Sequence, residues 1–195
     1  MTKEKPALLT ISVTEDEIRG IGGENIVGAY AAMKYFQSLP NDNNKSFVKA
    51  FKEMWGEDIV IGDVTQAAYL GPWLWKAAVE KAGSFDIDKI KEASPGIELN
   101  TAPEGYVRIH KNHHLWSKTR VGLAQADGQY KVVYETEELM EPDPFPKGYQ
   151  YAFARWKGAG NSSSQGNAPP PLSTTFPIFH SILSSNPPGK SKRAR

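Results

Sequence analysis

Leu8-Leu9-Thr10-Ile11-Ser12-Val13 runs straight into Thr14-Glu15-Asp16-Glu17-Ile18-Arg19-Gly20-Ile21-Gly22-Gly23, and this stretch decides the fold class. The Leu/Ile/Val run reads as a buried strand. An acidic cluster and a glycine-rich turn follow it at once. In that order they present polar groups beyond the carboxyl end of a strand, which is where open α/β sheets bind ligands. Thr14 with Glu17 three residues later is a capping-box pattern for a helix start. Glu15 and Asp16 in the first turn suit the positive end of the helix dipole.

Further along, residues 26–31 read as a second strand, with Met33, Tyr35 and Phe36 in an extended continuation. Asn43 or Asn44 can cap a helix that carries Phe47, Val48, Phe51, Met54 and Trp55 on one face, with Gly56 at its stop. A second helix is expected over residues 65–82, capped by Asp63 or Thr65 and stopped by Gly83. Its core side or edge holds Ala67, Leu70, Leu74, Ala77, Ala78 and Lys81. Pro72 falls inside it and predicts a kink, at a cost of about 3 kcal/mol. A third, short helix runs from Asp86 or Asp88 to about Ala93. The rest reads as β structure: a turn at Glu104-Gly105 before residues 106–109, then a hairpin of 121–126 and 129–135 around Asp127-Gly128. Strands alternating with helices make the class α/β.

The chain has 195 residues and 39% hydrophobic composition, enough for a real core. It has no cysteine, so disulfides and thiol chemistry are excluded. No run approaches the roughly 18 apolar residues of a membrane span, and no apolar stretch of signal-peptide length follows residues 1–6. The net charge of +1 conceals two segments. Residues 151–195 hold six basic and no acidic side chains, with Ser162-Ser163-Ser164 and Pro169-Pro170-Pro171, and residues 1–150 carry a net −5. A Pro/Ser-rich basic composition of that kind is expected to be disordered. The domain reading is therefore a folded region over 1–149 and a disordered basic tail over 150–195. The end Lys190-Ser191-Lys192-Arg193-Ala194-Arg195 is read as a solvated tail, and no nucleic-acid partner is expected.

Five blocks, in order, carry a family resemblance. The first is Glu15 to Tyr30, EDEIRGIGGENIVGAY. Next comes Ala67-Ala68-Tyr69 with Leu74-Trp75-Lys76-Ala77-Ala78-Val79-Glu80-Lys81-Ala82-Gly83-Ser84-Phe85-Asp86. Then follow Ala102-Pro103-Glu104-Gly105, Asn112-His113-His114-Leu115, and Asp127-Gly128-Gln129-Tyr130 with Pro142-Asp143-Pro144-Phe145. Together they resemble the substrate-binding proteins of urea and short-chain amide ABC transporters, over the C-terminal portion of that family only. The resemblance implies part of a two-lobed type I periplasmic-binding-protein fold: the later half of lobe 2 plus a returning β-hairpin that packs onto the first lobe. It implies binding of urea or a short-chain amide by closure between lobes, an ABC permease as membrane partner, and a periplasmic location. On this reading the first lobe, the leader and the early second lobe are missing, so the expected state is a truncated fragment with impaired binding. A cytosolic amide-sensing regulator of an amidase operon has the same fold and is the alternative.

Urea and short amides need acceptors for N–H and donors for C=O. By the resemblance, Ser12, Val13, Thr14 and Glu15 line the cleft, and Ser12, Thr14 and Glu15 are the candidate ligand-binding residues. Tyr69, Trp73 and Trp75 are read as core. His110, His113 and His114 suggest a metal-dependent hydrolase, but no acidic residue lies within the cluster, and the resemblance makes it a structural turn. There is no G-x-S-x-G, P-loop or G-x-G-x-x-G. The expectation is a binding protein without catalytic residues, metal or cofactor.

Overall fold

The computed structural model describes residues 7–144. The expected tail, 150–195, lies outside the described residues. The described chain up to Pro142 belongs to one compact unit, built around two sheets.

The first sheet has the order β1 (Leu9–Thr10), β2 (Tyr30–Met33), β6 (Arg120–Ala124), β7 (Tyr130–Glu135). β1 runs parallel to β2, and β2 pairs antiparallel with β6 from Tyr30↔Leu123 to Met33↔Arg120. The hairpin at Asp127-Gly128 is present as read. It packs on β2 of this same chain, however, and not onto a separate first lobe. Antiparallel pairing along β2 satisfies a full edge of backbone groups.

The strand expected over 8–13 is corrected. Only Leu9–Thr10 is strand, and Leu8 and Ile11 are 56% and 75% exposed. The Thr10 hydroxyl accepts the N–H groups of Ser12 and Val13, which turns the backbone out of the sheet. The second strand is shifted as well. Gly23–Ile26 forms a short helical turn, α2, after α1 (Glu15–Ile21), and Gly28 adopts φ 85°, so β2 begins only at Tyr30. Tyr35 and Phe36 lie beyond β2, fully buried. Phe36 packs with Ile18, Ile26, Ala29, Ala31, Ala124 and Tyr130. A Cβ at Gly122 would come within 2.7 Å of the Phe36 ring, so this strand position needs glycine for the close approach.

Between β2 and the second sheet lies α3 (Asp42–Trp55). Its cap is Asn41, whose side chain accepts the Asn44 N–H, rather than Asn43 or Asn44. The Asn44 amide instead turns inward to the carbonyls of Gln37 and Leu39. α4 (Asp63–Ala82) starts two residues earlier than expected, with Gly62 as cap, and ends at left-handed Gly83. It continues through Pro72, which sits on its exposed side. The carbonyl of Ala68, left without its usual donor, lies on that same wet side, so water offsets the loss. α5 (Ile87–Ala93) follows Asp86, one of the two expected starts, whose side chain caps it by accepting the Lys89 N–H.

The second sheet, β3 (Glu98–Leu99), β4 (Val107–Ile109), β5 (Leu115–Trp116), is antiparallel throughout. Leu70 and Ala78 of α4 cover it, packing with Ala102, Val107, Ile97 and Ile109. No helix of the described residues is long and apolar enough to cross a membrane.

Candidate functional site

The chain leaves the first sheet after Met33 and returns to it at Arg120. Around these two passages the structure gathers a polar hub. Its first half joins the start of α1 to the start of α4. Asp16 Oδ2 accepts the Gly62 N–H at 2.8 Å and the Thr65 hydroxyl at 3.1 Å. A Cβ at Gly62 would collide with Thr14 Oγ1 and Asp16 Oδ2, both at 2.4 Å, so only glycine admits this approach.

Glu15 is 1% exposed, and its Oε1 accepts the Gln37 N–H at 2.9 Å. Gln37 spreads that link further: its Oε1 accepts the Ile61 N–H at 2.7 Å and its Nε2 donates to Gln129 at 3.3 Å. Ser38 donates to the Tyr130 carbonyl, and Tyr130 donates through its hydroxyl to the Val13 carbonyl. Burial pushes the Glu15 carboxyl up to about 7, against the opposing pull of backbone donors. Burial also raises Asp63, although Lys34 pulls it down.

The second half is ionic. Lys34 Nζ donates to Gln66 Oε1 at 2.8 Å and to Glu104 Oε1 at 3.3 Å, with Asp63 Oδ1 at 3.9 Å. Ser117 donates to the other oxygen of Glu104. Arg120 is 5% exposed. It donates to Glu135 through Nε, to the Lys34 carbonyl through Nη1 and to the Glu104 carbonyl through Nη2. One guanidinium thus fastens the outgoing passage, the second sheet's approach turn and the hairpin, using the planar fork that only arginine has. Two buried side-chain atoms among the described residues have no hydrogen-bond partner: Glu15 Oε2 and Gln66 Nε2.

The three candidate ligand residues fall at different depths. Ser12 is exposed after β1. Thr14 is buried; its N–H and its hydroxyl donate to Glu17 Oε2, at 2.7 and 2.9 Å, and its side chain accepts the Glu17 N–H in return, the capping box expected for this pair. Glu15 is sealed in the hub. Cavities of about 470 and 430 Å³ are lined by none of these three residues. The larger is an apolar groove between α3 and α4 lined by Phe47, Phe51, Trp55 and Tyr69. The smaller lies beside Arg120, Glu104 and Glu135.

Tyr69, Trp73 and Trp75 are not core: each is between 41% and 53% exposed. They flank the α4 face that meets the sheet, Tyr69 and Trp73 on one side with Phe47, and Trp75 on the other with Phe85, while Leu70, Leu74 and Ala78 take the contacts with β3–β5. The three histidines form a tight turn in which His113 takes φ 66°. His110 faces Glu141, His113 faces Ser94 and His114 faces the Asn112 carbonyl. Among the described residues no group of three His, Cys, Asp or Glu side chains could hold a metal ion.

Lys34, Gln66, Glu104 and Arg120 were not singled out as site residues from the sequence. Glu104 had a signal, its place in the APEG block. Gln66 had none, since a lone amide in a helical pattern reads as solvated surface.

The periplasmic binding protein domain family matches residues 1–151. A limonene hydroxylase of Geobacillus stearothermophilus is 32% identical over 124 residues, covering 64% of this chain and 23% of the relative. Among solved structures, an ABC transporter substrate-binding protein from Sphaerobacter thermophilus superposes with a TM-score of 0.60 at 20% identity, covering 70% of this chain and 38% of that one. A solute-binding protein of an ABC transporter from Rhodopseudomonas palustris HaA2, in complex with p-hydroxybenzoic acid, gives 0.59 at 23% identity, covering 69% and 38%. An amino acid ABC transporter substrate-binding protein from Pseudomonas fluorescens Pf-5 gives 0.59 at 22% identity, covering 72% and 39%. The chain spans about a quarter of the curated relative and about two fifths of these solved structures.

Proposed function

Because the chain belongs to the periplasmic binding protein domain family, we propose that it is part of a solute-binding component of an ABC importer, and that its solute is urea or a short-chain amide. The observation that carries this reading is the hub at the chain's two passages. Here the start of α1, Thr14–Asp16, meets the start of α4, and the crossing residues Lys34 and Arg120 are bonded to one another and to Glu104. A site where two sheets meet through a few crossing segments is the place at which a solute can bias closure. The acceptor-rich character of Glu15, Asp16 and Asp63 suits N–H donors better than an anionic solute such as a benzoate. An ABC permease is the membrane partner and the periplasm the location on this reading. The role is binding without catalysis. The hydroxylase name does not transfer, since the shared stretch is 23% of that relative. The regulator alternative has no such support, as the solved neighbours are named as transporter components.

The test is residue-resolved NMR titration with millimolar urea, acetamide, benzoate and leucine. The amides should move the Ser12, Thr14 and Glu15 signals, weakly and saturably, and the others should not. Shifts with benzoate or leucine instead, or with none of the four, reject the amide assignment.

A further inference from the structure

We propose that Glu15 is a proton-controlled clasp: neutral, it holds the start of α1 to the passage at Gln37, and ionised, it releases that passage. The claim stands whether or not the solute is an amide. The geometry carries it. Glu15 is the inward-facing residue of the first turn of α1, and its one bonded oxygen takes the Gln37 N–H. Gln37 in turn bridges to Ile61, just before α4, and to Gln129, at the hairpin. A single carboxyl therefore anchors a residue that touches three separate segments.

Burial and the titratable groups that face Glu15 disfavour its charge, and they outweigh the Gln37 and Glu15 backbone N–H groups, which favour it. On its own helix lies Asp16, with Glu17 one residue further on, and from α4 comes Asp63. Tyr35 on the passage and Tyr130 on β7 are the other ionisable neighbours, and both have their phenols pushed up by burial first and by Glu15 next. The cations of the hub are bonded elsewhere, Lys34 to Gln66, Glu104 and Asp63 and Arg120 to Glu135 and two carbonyls. No ion pair among the described residues includes Glu15. Its second oxygen is buried without a partner. An ionised carboxylate in that position is 1% exposed and has no ion-pair partner among the described residues, so ionisation favours conformers in which it reaches solvent.

The direction with pH follows. The carboxyl titrates at about 7 when folded and at 4.5 as an unperturbed group. A raised value means that the folded state is favoured at low pH, and that this advantage fades as pH rises from the ordinary carboxylate range through neutrality. Release of Gln37 should then grow roughly tenfold between about pH 6 and about pH 8, in step with the ionised fraction.

The experiment uses the full 195-residue chain. Amide hydrogen exchange at Gln37, corrected for intrinsic base catalysis, is followed over that pH range in the parent and in Glu15→Gln. The glutamine keeps an acceptor for the Gln37 N–H and cannot ionise. The expected result is a tenfold loss of Gln37 protection in the parent and less than twofold in the variant, with Ile61 and Gln129 following Gln37. The carboxyl carbon of Glu15 is titrated in parallel in the parent alone, so a variant that fails to fold does not stall the test. A Glu15 midpoint in the ordinary carboxylate range overturns the proposal, as does Gln37 protection that does not change with pH. Neither readout involves urea, so failure of the amide assignment leaves this result distinguishable.

Discussion

The two sheets of this protein are assembled from the chain in opposite ways. The second, with α4 and α5, comes from one continuous stretch between Asp63 and Trp116. Its core of Leu70, Ala78, Ile97, Ala102, Val107 and Ile109 is apolar and is laid down by neighbours in sequence. The first is closed only when Tyr30–Met33 meets Arg120–Ala124, some ninety residues later along the chain. That long-range closure carries a close approach, at Gly122 against Phe36, and a three-way hydrogen-bonded guanidinium, at Arg120. Local assembly needs little beyond apolar burial. Bringing distant segments together needs groups that fix one register and one approach, because the loop-closure entropy must be offset by specific contacts.

The contrast can be attacked at its strongest point first. Phe36→Ala should cost about 4 kcal/mol, read as a fall in the guanidinium chloride midpoint. Native-state hydrogen exchange should loosen at β2 and β6 before it does at β4. Equal loosening of both sheets would mean that they open as one unit, and the contrast would fail.

Removing the fork at Arg120 comes next. Arg120→Ala should cost about 3 kcal/mol, since Glu135 and two carbonyls lose their donor. Arg120→Lys should recover less than half, because one ammonium cannot reach three acceptors in a plane. Full recovery by lysine would show that charge alone holds the passages together.

The smallest effects sharpen the contrast by sign. Gly122→Ala drives a methyl into the Phe36 and Tyr130 rings and should destabilise by about 2 kcal/mol. Gly20→Ala, in the last turn of α1 with no atom beyond its chain neighbours close to the added carbon, should stabilise by up to about 1 kcal/mol. Thermal midpoints moving in the same direction for both would contradict the packing described at β6.

Helices capped by their own neighbours were legible in the sequence, because capping, periodicity and stop signals act over four residues or fewer. α5 with Asp86 and the hairpin at Asp127-Gly128 are examples. So was the reciprocal pair of Thr14 and Glu17. The extent of β1 was not legible. Its Leu/Ile/Val run has a buried strand's composition, yet Thr10 bends the backbone away and, among the described residues, the outer side of the strand has no partner in the sheet. Nor was the exposure of Tyr69, Trp73 and Trp75, since periodicity says which residues share a face but not which face meets a sheet.

The sequence by itself determined the α/β class, the order of most elements, the hairpin and the family resemblance of its blocks. The partner of that hairpin, the burial of Glu15 and the gathering of Lys34, Gln66, Glu104 and Arg120 were decided only in three dimensions. The reason is range. Propensities and caps are set by neighbours along the chain. The surroundings of a charged side chain are set by segments that meet only after the first sheet has closed.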